Sequence, residues 1–209
     1  MDCACYPLDS AHGDTWITIL PMPINHFDII SPIYERFGHF DRSHPLLALL
    51  ELPDKGVIMD IGGGTGRVAR VLSDSGCQVV VVDVSAGMLT RVHGKPGLIP
   101  LMADAAALPI QTGSVQRVLI VDALHHIKRQ PETIRELCRL LAPGGVGVVV
   151  EPDTRVFLVK LIVIMEFILL MGSHFLRVPE LLGLFDGEAG KATISAWQGN
   201  LLLQFRKNR

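Results

Sequence analysis

The sequence predicts one α/β domain whose mostly parallel sheet is covered by helices on both faces and ends in an antiparallel hairpin. From Gly56 to Glu151, short runs of β-branched apolar residues alternate with helix-like segments, which is typical of parallel strands buried on both faces. Further along, two strand-like runs, Ala192–Trp197 and Leu201–Phe205, flank a turn that contains Gly199, and this spacing predicts a hairpin. The 209 residues suffice for one such domain with one core.

The individual elements follow from the same periodicity. The predicted strands and the helices between them are, in order, Val57–Ile61, 65–74, Val79–Asp83, 85–92, Leu98–Met102, Val115–Val121, 131–141 and Val146–Glu151. Further helices are predicted over 26–37, interrupted by Pro32, over 46–50 with Ser43 as the cap, and over 179–189. Residues 1–25 contain three prolines and little periodicity, so we expect an irregular arm there and a single domain over 26–209.

The composition excludes several kinds of partner. Nineteen basic residues nearly balance 21 acidic ones, and no stretch gathers Lys and Arg into the stripe that nucleic acid requires. Four scattered cysteines do not make a disulfide framework, and Cys3 and Cys5 lack further ligands at metal-binding spacing. Acidic residues interrupt the N-terminal region before any apolar run as long as that of a signal peptide. We therefore expect a cytoplasmic protein with no metal and no nucleic-acid partner.

A glycine-rich loop follows the first predicted strand. The stretch from Asp60 to Arg67 reads Asp-Ile-Gly-Gly-Gly-Thr-Gly-Arg, and a helix is predicted after it. Glycines allow the backbone to turn sharply, and they let a ligand approach the N–H groups at the start of the helix. Four glycines in five positions exceed what a tight turn needs. The loop is therefore predicted to bind a ligand.

The glycine spacing alone leaves two ligand classes open. The pattern Gly64-x-Gly66-x-x-Ala69 also satisfies the dinucleotide fingerprint, with Asp83 near the distance expected for a ribose-binding acid. Asp60 argues against a dinucleotide, because a carboxylate at the strand end would repel a pyrophosphate but would attract an ammonium and a sulfonium group. Asp104 follows the third strand, where an acid is able to hold an adenine amino group.

Five motifs lie within residues 26–206. They are Asp60-x-Gly62-x-Gly64-x-Gly66, Val82-Asp83-x-Ser85-x-x-Met88-Leu89, Asp104-Ala105-x-x-Leu108-Pro109, Asp122-Ala123-Leu124-His125-His126 and Leu137-x-Arg139-Leu140-Leu141-Ala142-Pro143-Gly144-Gly145. Together they resemble the class I S-adenosylmethionine-dependent methyltransferases, especially the small "type 11" group that includes quinone-biosynthesis enzymes. The resemblance implies a Rossmann-like doubly wound fold, S-adenosyl-L-methionine as cofactor and methyl transfer as the activity.

The resemblance also implies a role for each motif. Asp60 and the glycine loop hold the amino acid portion of the cofactor, and Asp83 holds the ribose hydroxyls. Met88, or Ala86, packs near the adenine, and Asp104 with Ala105 holds its amino group. The predicted cofactor-binding set is completed by Gly62, Gly63, Gly64, Thr65, Gly66, Val84 and Asp122.

Two adjacent histidines are the candidates for a catalytic role. Methyl transfer depends more on alignment of the two reactants and exclusion of water than on catalytic groups. An acceptor hydroxyl nevertheless becomes more nucleophilic when it loses its proton to a base. His126, or alternatively His125, follows the fourth strand at the edge where ligands bind in such sheets. A packing or cofactor-shaping role explains the pair equally well, so both interpretations stay open.

One segment is far more apolar than the rest of the chain. Val156–Met171 lies in an expected helical insertion at about 153–178 and contains only Lys160 and Glu166 as charged residues. It is shorter than the roughly 20 residues of a bilayer-spanning helix, so a transmembrane span is not expected. Two uses are open: a buried helix or homodimer interface, or a lid over a lipid-like acceptor with peripheral membrane contact.

Three classes of function therefore remain to be compared. The leading one is a methyltransferase for a small hydrophobic or aromatic acceptor that resembles a quinone or a lipid. An NAD(P)-dependent oxidoreductase is supported only by the Gly64-x-Gly66-x-x-Ala69 pattern with Asp83. The third class is a methyltransferase-like protein that binds the cofactor without catalysis.

Overall fold

The fold is an eight-stranded sheet with helices on both faces. It is seen in a computed structural model that describes residues 17–18, 43–157, 159–160 and 172–208. The strands are β1 (Ile17–Thr18), β2 (Val57–Ile61), β3 (Gln78–Asp83), β4 (Leu98–Met102), β5 (Val115–Val121), β6 (Leu141–Pro152), β7 (Lys191–Trp197) and β8 (Asn200–Arg206). Their spatial order is β1-β4-β3-β2-β5-β6-β8-β7.

The predicted fold class is confirmed by the strand directions. Every neighbouring pair from β1 to β6 is parallel, whereas β8 pairs antiparallel with both β6 and β7. From β2 the next strands along the chain, β3 and β4, lie on one side, whereas β5 and β6 lie on the other. Ligands bind at the carboxyl ends of the two strands where the strand order changes direction in this way, so the ends of β2 and β5 are the expected ligand edge of the sheet. The glycine loop follows β2, and the two histidines follow β5.

The helices are α1 (Pro45–Leu50), α2 (Ala69–Leu72), α3 (Ala86–Leu89), α4 (Gln130–Leu140) and α5 (Val178–Gly183). α2 and α3 are shorter than predicted, because the glycine loop continues as turns up to Val68 and because turns follow α3. Ser43 is also not the cap of α1. The His44 side chain accepts the Leu46 N–H at 3.1 Å instead.

The prediction of one helix over Pro179–Ala189 is wrong. After α5 the chain continues as successive turns in which Phe185 N donates to Leu182 O at 3.0 Å and Glu188 N to Phe185 O at 3.2 Å. Gly187 then adopts a left-handed φ of 78°, which ends the helical path. The apolar spacing was nevertheless informative, because Leu181 and Phe185 are both buried against the sheet.

Each face of the sheet carries its own apolar core. On one face, Met59 and Ile120 pack with Phe205 and the apolar side of α4. On the other, Ile58 and Leu119 pack with α1 and α2. This two-sided burial explains why the parallel strands are continuous apolar runs in the sequence, and it leaves the strand ends as the place where polar side chains gather.

Several predictions fall outside the described residues. They are the helix over 26–37, most of the arm over 1–25 and most of the apolar segment Val156–Met171. Within the arm, the described part is β1, which pairs with β4. The apolar segment begins as a helix, because Lys160 N donates to Val156 O at 3.2 Å. None of the helices in the described part of the chain is long and apolar enough to cross a bilayer.

Candidate cofactor and acceptor site

The glycine loop folds back over the end of β2. Gly63 N donates to Val82 O at 3.1 Å, and Gly66 N donates to Gly63 O at 2.9 Å. Gly64 has a φ of 56°, a conformation that strongly favours glycine. A Cβ on Gly63 would lie 2.7 Å from the Asp60 carboxyl group. Glycine is therefore required at position 63 because the loop lies so close to the Asp60 carboxyl group, and at position 64 because the backbone has a positive φ there.

Three other predicted loop residues are placed around this turn. Gly62 lies against Ala123, because an added Cβ would come within 2.6 Å of the Ala123 Cβ. Thr65 is buried, and its carbonyl accepts a hydrogen bond from Lys95 Nζ at 2.9 Å. Gly66 has a φ of 77°. The loop thus contacts the end of β5 on one side and the region after α3 on the other.

Asp60 is a buried acid beneath the loop. Its exposure is 1%, and burial raises the pKa of Asp60 to about 7, although the Ala69 N–H and the nearby Arg67 oppose the shift. Within the described part of the chain, Asp60 Oδ2 has no hydrogen-bond partner. A buried carboxylate oxygen without a donor is costly. It is the kind of group that a cationic ligand would satisfy.

Asp83 connects the loop to the neighbouring strand. Its Oδ2 accepts the Gly64 N–H at 3.0 Å, and its Oδ1 accepts the Ser85 N–H at 2.8 Å. Ser85 Oγ in turn accepts the Met88 N–H at 3.0 Å and caps α3. The Met88 sulfur would lie 3.8 Å from a Cβ on Gly64. The end of β3, α3 and the loop are therefore held as one unit.

Three more of the predicted cofactor-binding residues, Val84, Asp104 and Ala105, follow β3 and β4 at the same edge. Val84 is an exposed apolar side chain, 38% accessible. Asp104 accepts the Ala106 N–H at 2.9 Å through Oδ1 and pairs with Arg129 at 2.5 Å through Oδ2, and Ala105 is buried beside it. Arg129 was not anticipated from the sequence, because it lies 25 residues away along the chain.

A second unanticipated cation lies on the other side of the loop. Arg67 pairs with Asp122 Oδ2 at 3.4 Å, and its charge also acts on Asp60. Asp122 follows β5 with a φ of 52°. Burial raises the pKa of Asp122, and Arg67 opposes this effect. The amino-acid end of the predicted site thus contains two carboxylates and one guanidinium.

The two histidines differ sharply in their surroundings. His125 is 3% exposed, and its Nδ1 lies 2.7 Å from Glu151 Oε2. The other carboxylate oxygen, Oε1, accepts the Leu124 N–H at 2.8 Å. His126 is only partly buried, and its Nδ1 lies 3.1 Å from Ser173 Oγ. His125 is thus a packed residue with a buried carboxylate partner, whereas His126 is the more accessible of the two.

A short segment that sequence reasoning missed lies against the histidines. His174 N donates to His125 O at 2.6 Å, and the Phe175 ring stacks on the His125 ring with centroids 4.4 Å apart. The Gln130 side chain donates to the carbonyls of Leu124 at 3.0 Å and of His174 at 2.9 Å. The only sequence signal for the segment that contains His174 and Phe175 was its position directly after the apolar segment Val156–Met171.

The structure therefore brings the predicted residues to one edge of the sheet. The loop, Asp60, Asp83 and Asp122 surround the ends of β2, β3 and β5, with Met88 beside Gly64. The charge of Glu151 adds to the raised pKa of Asp122, and His125 opposes it. Asp104 lies at the end of β4 in its own pair with Arg129. This arrangement places an acidic, glycine-lined edge at the switch point of the sheet, the position at which doubly wound α/β proteins bind their ligands.

Comparison with known proteins agrees with this class. Residues 59–149 match the family model described as "Methyltransferase domain". A demethylmenaquinone methyltransferase of Renibacterium salmoninarum is 33% identical over 95 residues, which is 45% of this chain and 40% of that protein. A 2-phytyl-1,4-naphthoquinone methyltransferase of Thermosynechococcus vestitus is 31% identical over 139 residues, 60% of this chain and 62% of that protein.

A solved structure extends the similarity of fold to most of the chain. A SAM-dependent methyltransferase from Thermotoga maritima superposes with a TM-score of 0.74 at 20% identity, covering 87% of this chain and 98% of that one. The matches to the first demethylmenaquinone methyltransferases span about two fifths of their length. The similarity to the methyltransferase domain family thus covers residues 59–149, and the fold of most of the chain is that of a solved SAM-dependent methyltransferase.

Proposed function

We propose that this chain binds S-adenosyl-L-methionine and transfers its methyl group to a small hydrophobic acceptor. The observation that carries the proposal is the unsatisfied, buried Oδ2 of Asp60 beneath the glycine loop. An ammonium group would supply the missing hydrogen bond and would remove the cost of ionising this carboxyl group. A pyrophosphate would increase that cost, which argues against a nicotinamide dinucleotide.

The residues present fit the remaining parts of the cofactor. Arg67 is the cation beside Asp60 and Asp122, and it complements the cofactor's carboxylate. Asp83 accepts two backbone N–H groups at the loop, and a carboxylate is the kind of acceptor that ribose hydroxyls need. Val84 and Met88 provide apolar surface, and Asp104 provides an acceptor, for the adenine. When bound, the cofactor supplies an activated methyl group on a sulfonium.

The environment of the histidines favours His126 over His125 as the base. His125 is buried, and Glu151 and Phe175 hold its ring, which suits a residue that fixes the turn after β5. His126 lies beside it, with ring centroids 4.1 Å apart, and is more accessible. A hydroxyl acceptor next to His126 would transfer its proton there as the methyl group arrives.

The names of the relatives and the exposed residues of the apolar segment both support the proposed acceptor class. The curated relatives act, by their names, on demethylmenaquinone and on a phytyl naphthoquinone, both of which combine an aromatic ring with apolar character. In this chain, the apolar segment after β6 begins with Val156 and Phe157, which are 39% and 76% exposed. An exposed Phe at the start of an apolar stretch of sequence fits peripheral contact with a membrane, where such acceptors dissolve.

Calorimetry with S-adenosylhomocysteine, NAD and NADP in parallel tests the cofactor. Binding of S-adenosylhomocysteine alone is the expected result, and binding of a nicotinamide dinucleotide alone would overturn the proposal. Transfer of labelled methyl groups into lipid, quinone and polar extracts then tests the activity and the acceptor class. Cofactor binding without labelling of any extract would indicate the non-catalytic alternative.

A further inference from the structure

Asp104, the acid expected to hold the adenine amino group, is paired with a cation. Arg129 Nη2 donates to Asp104 Oδ2 at 2.5 Å, whereas Asp104 Oδ1 accepts the Ala106 N–H at 2.9 Å. We propose that Arg129 recognises the adenine together with Asp104. The carboxylate would accept from the 6-amino group, and the guanidinium would donate to an adjacent ring nitrogen. The inference rests on the proposed function and adds a specificity-determining residue to that site.

Arg129 lies at the edge of the sheet where the ligand is expected. It comes shortly after His126 and directly before α4, and its contact with Asp104 joins the chain after β5 to the loop after β4. These two strands are not neighbours, because β3 and β2 lie between them in the sheet. The pair therefore connects the two loops that flank the strand ends carrying the glycine loop and Asp83.

The pair places a hydrogen-bond donor beside an acceptor. The adenine edge is matched by this combination, because its 6-amino group donates whereas the ring nitrogens N1 and N7 accept. Asp104 as a carboxylate satisfies only the amino group. The Arg129 guanidinium bonds to Asp104 through Nη2, and the planar fork of an arginine carries further N–H groups on Nε and Nη1. Arg129 therefore has the donors that a ring nitrogen needs.

The pair is not needed to hold the loop after β4 in place. The side chains of Arg129 and Asp104 are 52% and 42% exposed, and ion pairs this exposed contribute little to stability. The loop is attached to α4 elsewhere, because Glu136 accepts the Leu108 N–H at 2.7 Å and Arg139 donates to Leu108 O at 3.2 Å. Replacing Arg129 should therefore leave the loop and the melting temperature unchanged.

Calorimetry with base-modified forms of S-adenosylhomocysteine tests this contact without any acceptor. The 1-deaza and 7-deaza analogues each replace one ring nitrogen by C–H and keep the 6-amino group. We expect one of them to bind the native chain about tenfold more weakly than S-adenosylhomocysteine, the loss typical of a hydrogen bond to a charged group. In Arg129→Met, S-adenosylhomocysteine should itself bind about tenfold more weakly, and the same analogue should then bind as well as the unmodified compound.

Arg135→Met is the matched control. Arg135 is an arginine of α4 with a similar exposure, 55%, and it pairs with Glu132, so this variant should bind all three compounds as the native chain does. Equal weakening of all three by Arg129→Met would mean that Arg129 acts only through Asp104 or through its charge, and it would overturn the inference. Native affinities that are the same for all three compounds, or unchanged or tighter binding of S-adenosylhomocysteine by Arg129→Met, would also overturn it. Failure of S-adenosylhomocysteine to bind the native chain would instead overturn the proposed function.

Discussion

Gly64 donates its backbone N–H to the Asp83 carboxylate at 3.0 Å, so the glycine loop and the end of β3 are tied together before any ligand arrives. The residue expected to bind ribose therefore also shapes the loop expected to bind the amino acid portion. Any substitution of Asp83 therefore acts on the ribose-binding position and on the shape of the glycine loop. Its effects on cofactor affinity and on stability must be measured together.

Asp83→Ala is expected to weaken S-adenosylhomocysteine binding by on the order of 1–3 kcal/mol, because a charged acceptor is removed. Two backbone N–H groups, of Gly64 and Ser85, also lose their partner, so a modest fall in melting temperature should accompany the loss. Calorimetry and thermal unfolding measure the two effects. Asp54→Ala is the matched control, because Asp54 is an exposed acid before β2. An affinity for Asp83→Ala equal to that of the control would remove Asp83 from the site.

Gly64→Ala and Gly113→Ala form a matched pair for the loop. Both glycines have a left-handed φ, 56° and 69°, so each alanine should cost roughly 1–2 kcal/mol of stability. A Cβ on Gly113 meets no atom within 4 Å, whereas one on Gly64 points towards Met88 and Asp83. Only Gly64→Ala should therefore weaken S-adenosylhomocysteine binding, and Gly64→Val should weaken it further. Full cofactor affinity in Gly64→Val would contradict the assignment of the loop.

Asp60→Asn is expected to stabilise the ligand-free protein in a pH-dependent way. The pKa of Asp60 is raised from 3.8 to about 7 on folding, so between these values the folded state keeps a proton that the unfolded state has lost. The aspartate therefore lowers stability increasingly as the pH rises from about 4 to 7, and fully above 7. The melting temperature of Asp60→Asn should match that of the native protein near pH 4 and exceed it at pH 8 by several degrees.

The same variant should lose affinity for the cofactor. An amide does not carry the charge that pairs with an ammonium group, so S-adenosylhomocysteine binding should weaken by about 2 kcal/mol or more at pH 8. In the native protein, affinity should rise from pH 6 to pH 8 as Asp60 ionises. Stabilisation of Asp60→Asn together with unchanged affinity would mean that this acid does not contact the ligand.

His125→Ala should mainly lower stability, whereas His126→Ala should mainly lower the rate of methyl transfer. Removing His125 leaves Oε2 of the buried Glu151 carboxylate without its imidazole partner, while the Leu124 N–H still donates to Oε1. This loss should cost on the order of 3–5 kcal/mol and lower the melting temperature markedly. His126→Ala should change stability and cofactor affinity little, but it should reduce methyl transfer roughly 100-fold or more if the acceptor is a hydroxyl. Parallel losses of stability and turnover in His126→Ala would indicate a structural histidine instead.

Phe157→Ser tests the proposed membrane contact. Phe157 is 76% exposed, so its replacement should leave the melting temperature unchanged while reducing sedimentation with anionic lipid vesicles roughly fivefold to tenfold. Leu52→Ser is the control, because Leu52 is also an exposed large apolar residue, at 36%, but lies after α1. Equal vesicle binding by both variants would argue against membrane contact at Phe157.

The strands and the glycine loop were predictable because local pattern determines them. Buried parallel strands are unbroken apolar runs, and a loop that must approach a ligand needs glycine. The Glu151–His125 pair was not predictable, because it depends on the register in which Val121 pairs with Val150. Ser173 reaches His126 across 47 positions of sequence, and no periodicity encodes such a contact. The length of α5 was overestimated because turns can bury the same apolar spacing as a helix.

The position of β8 has a consequence for how the chain reaches its fold during synthesis. β8 follows both β6 and β7 in the sequence, yet it lies inside the sheet, between these two strands. Until residues 200–206 leave the ribosome, β6 presents an open edge and β7 has no neighbour to pair with. A nascent chain therefore passes through a state with an unpaired apolar strand, which is the kind of edge that promotes aggregation. β6 and β7 join the same sheet only when β8 inserts between them.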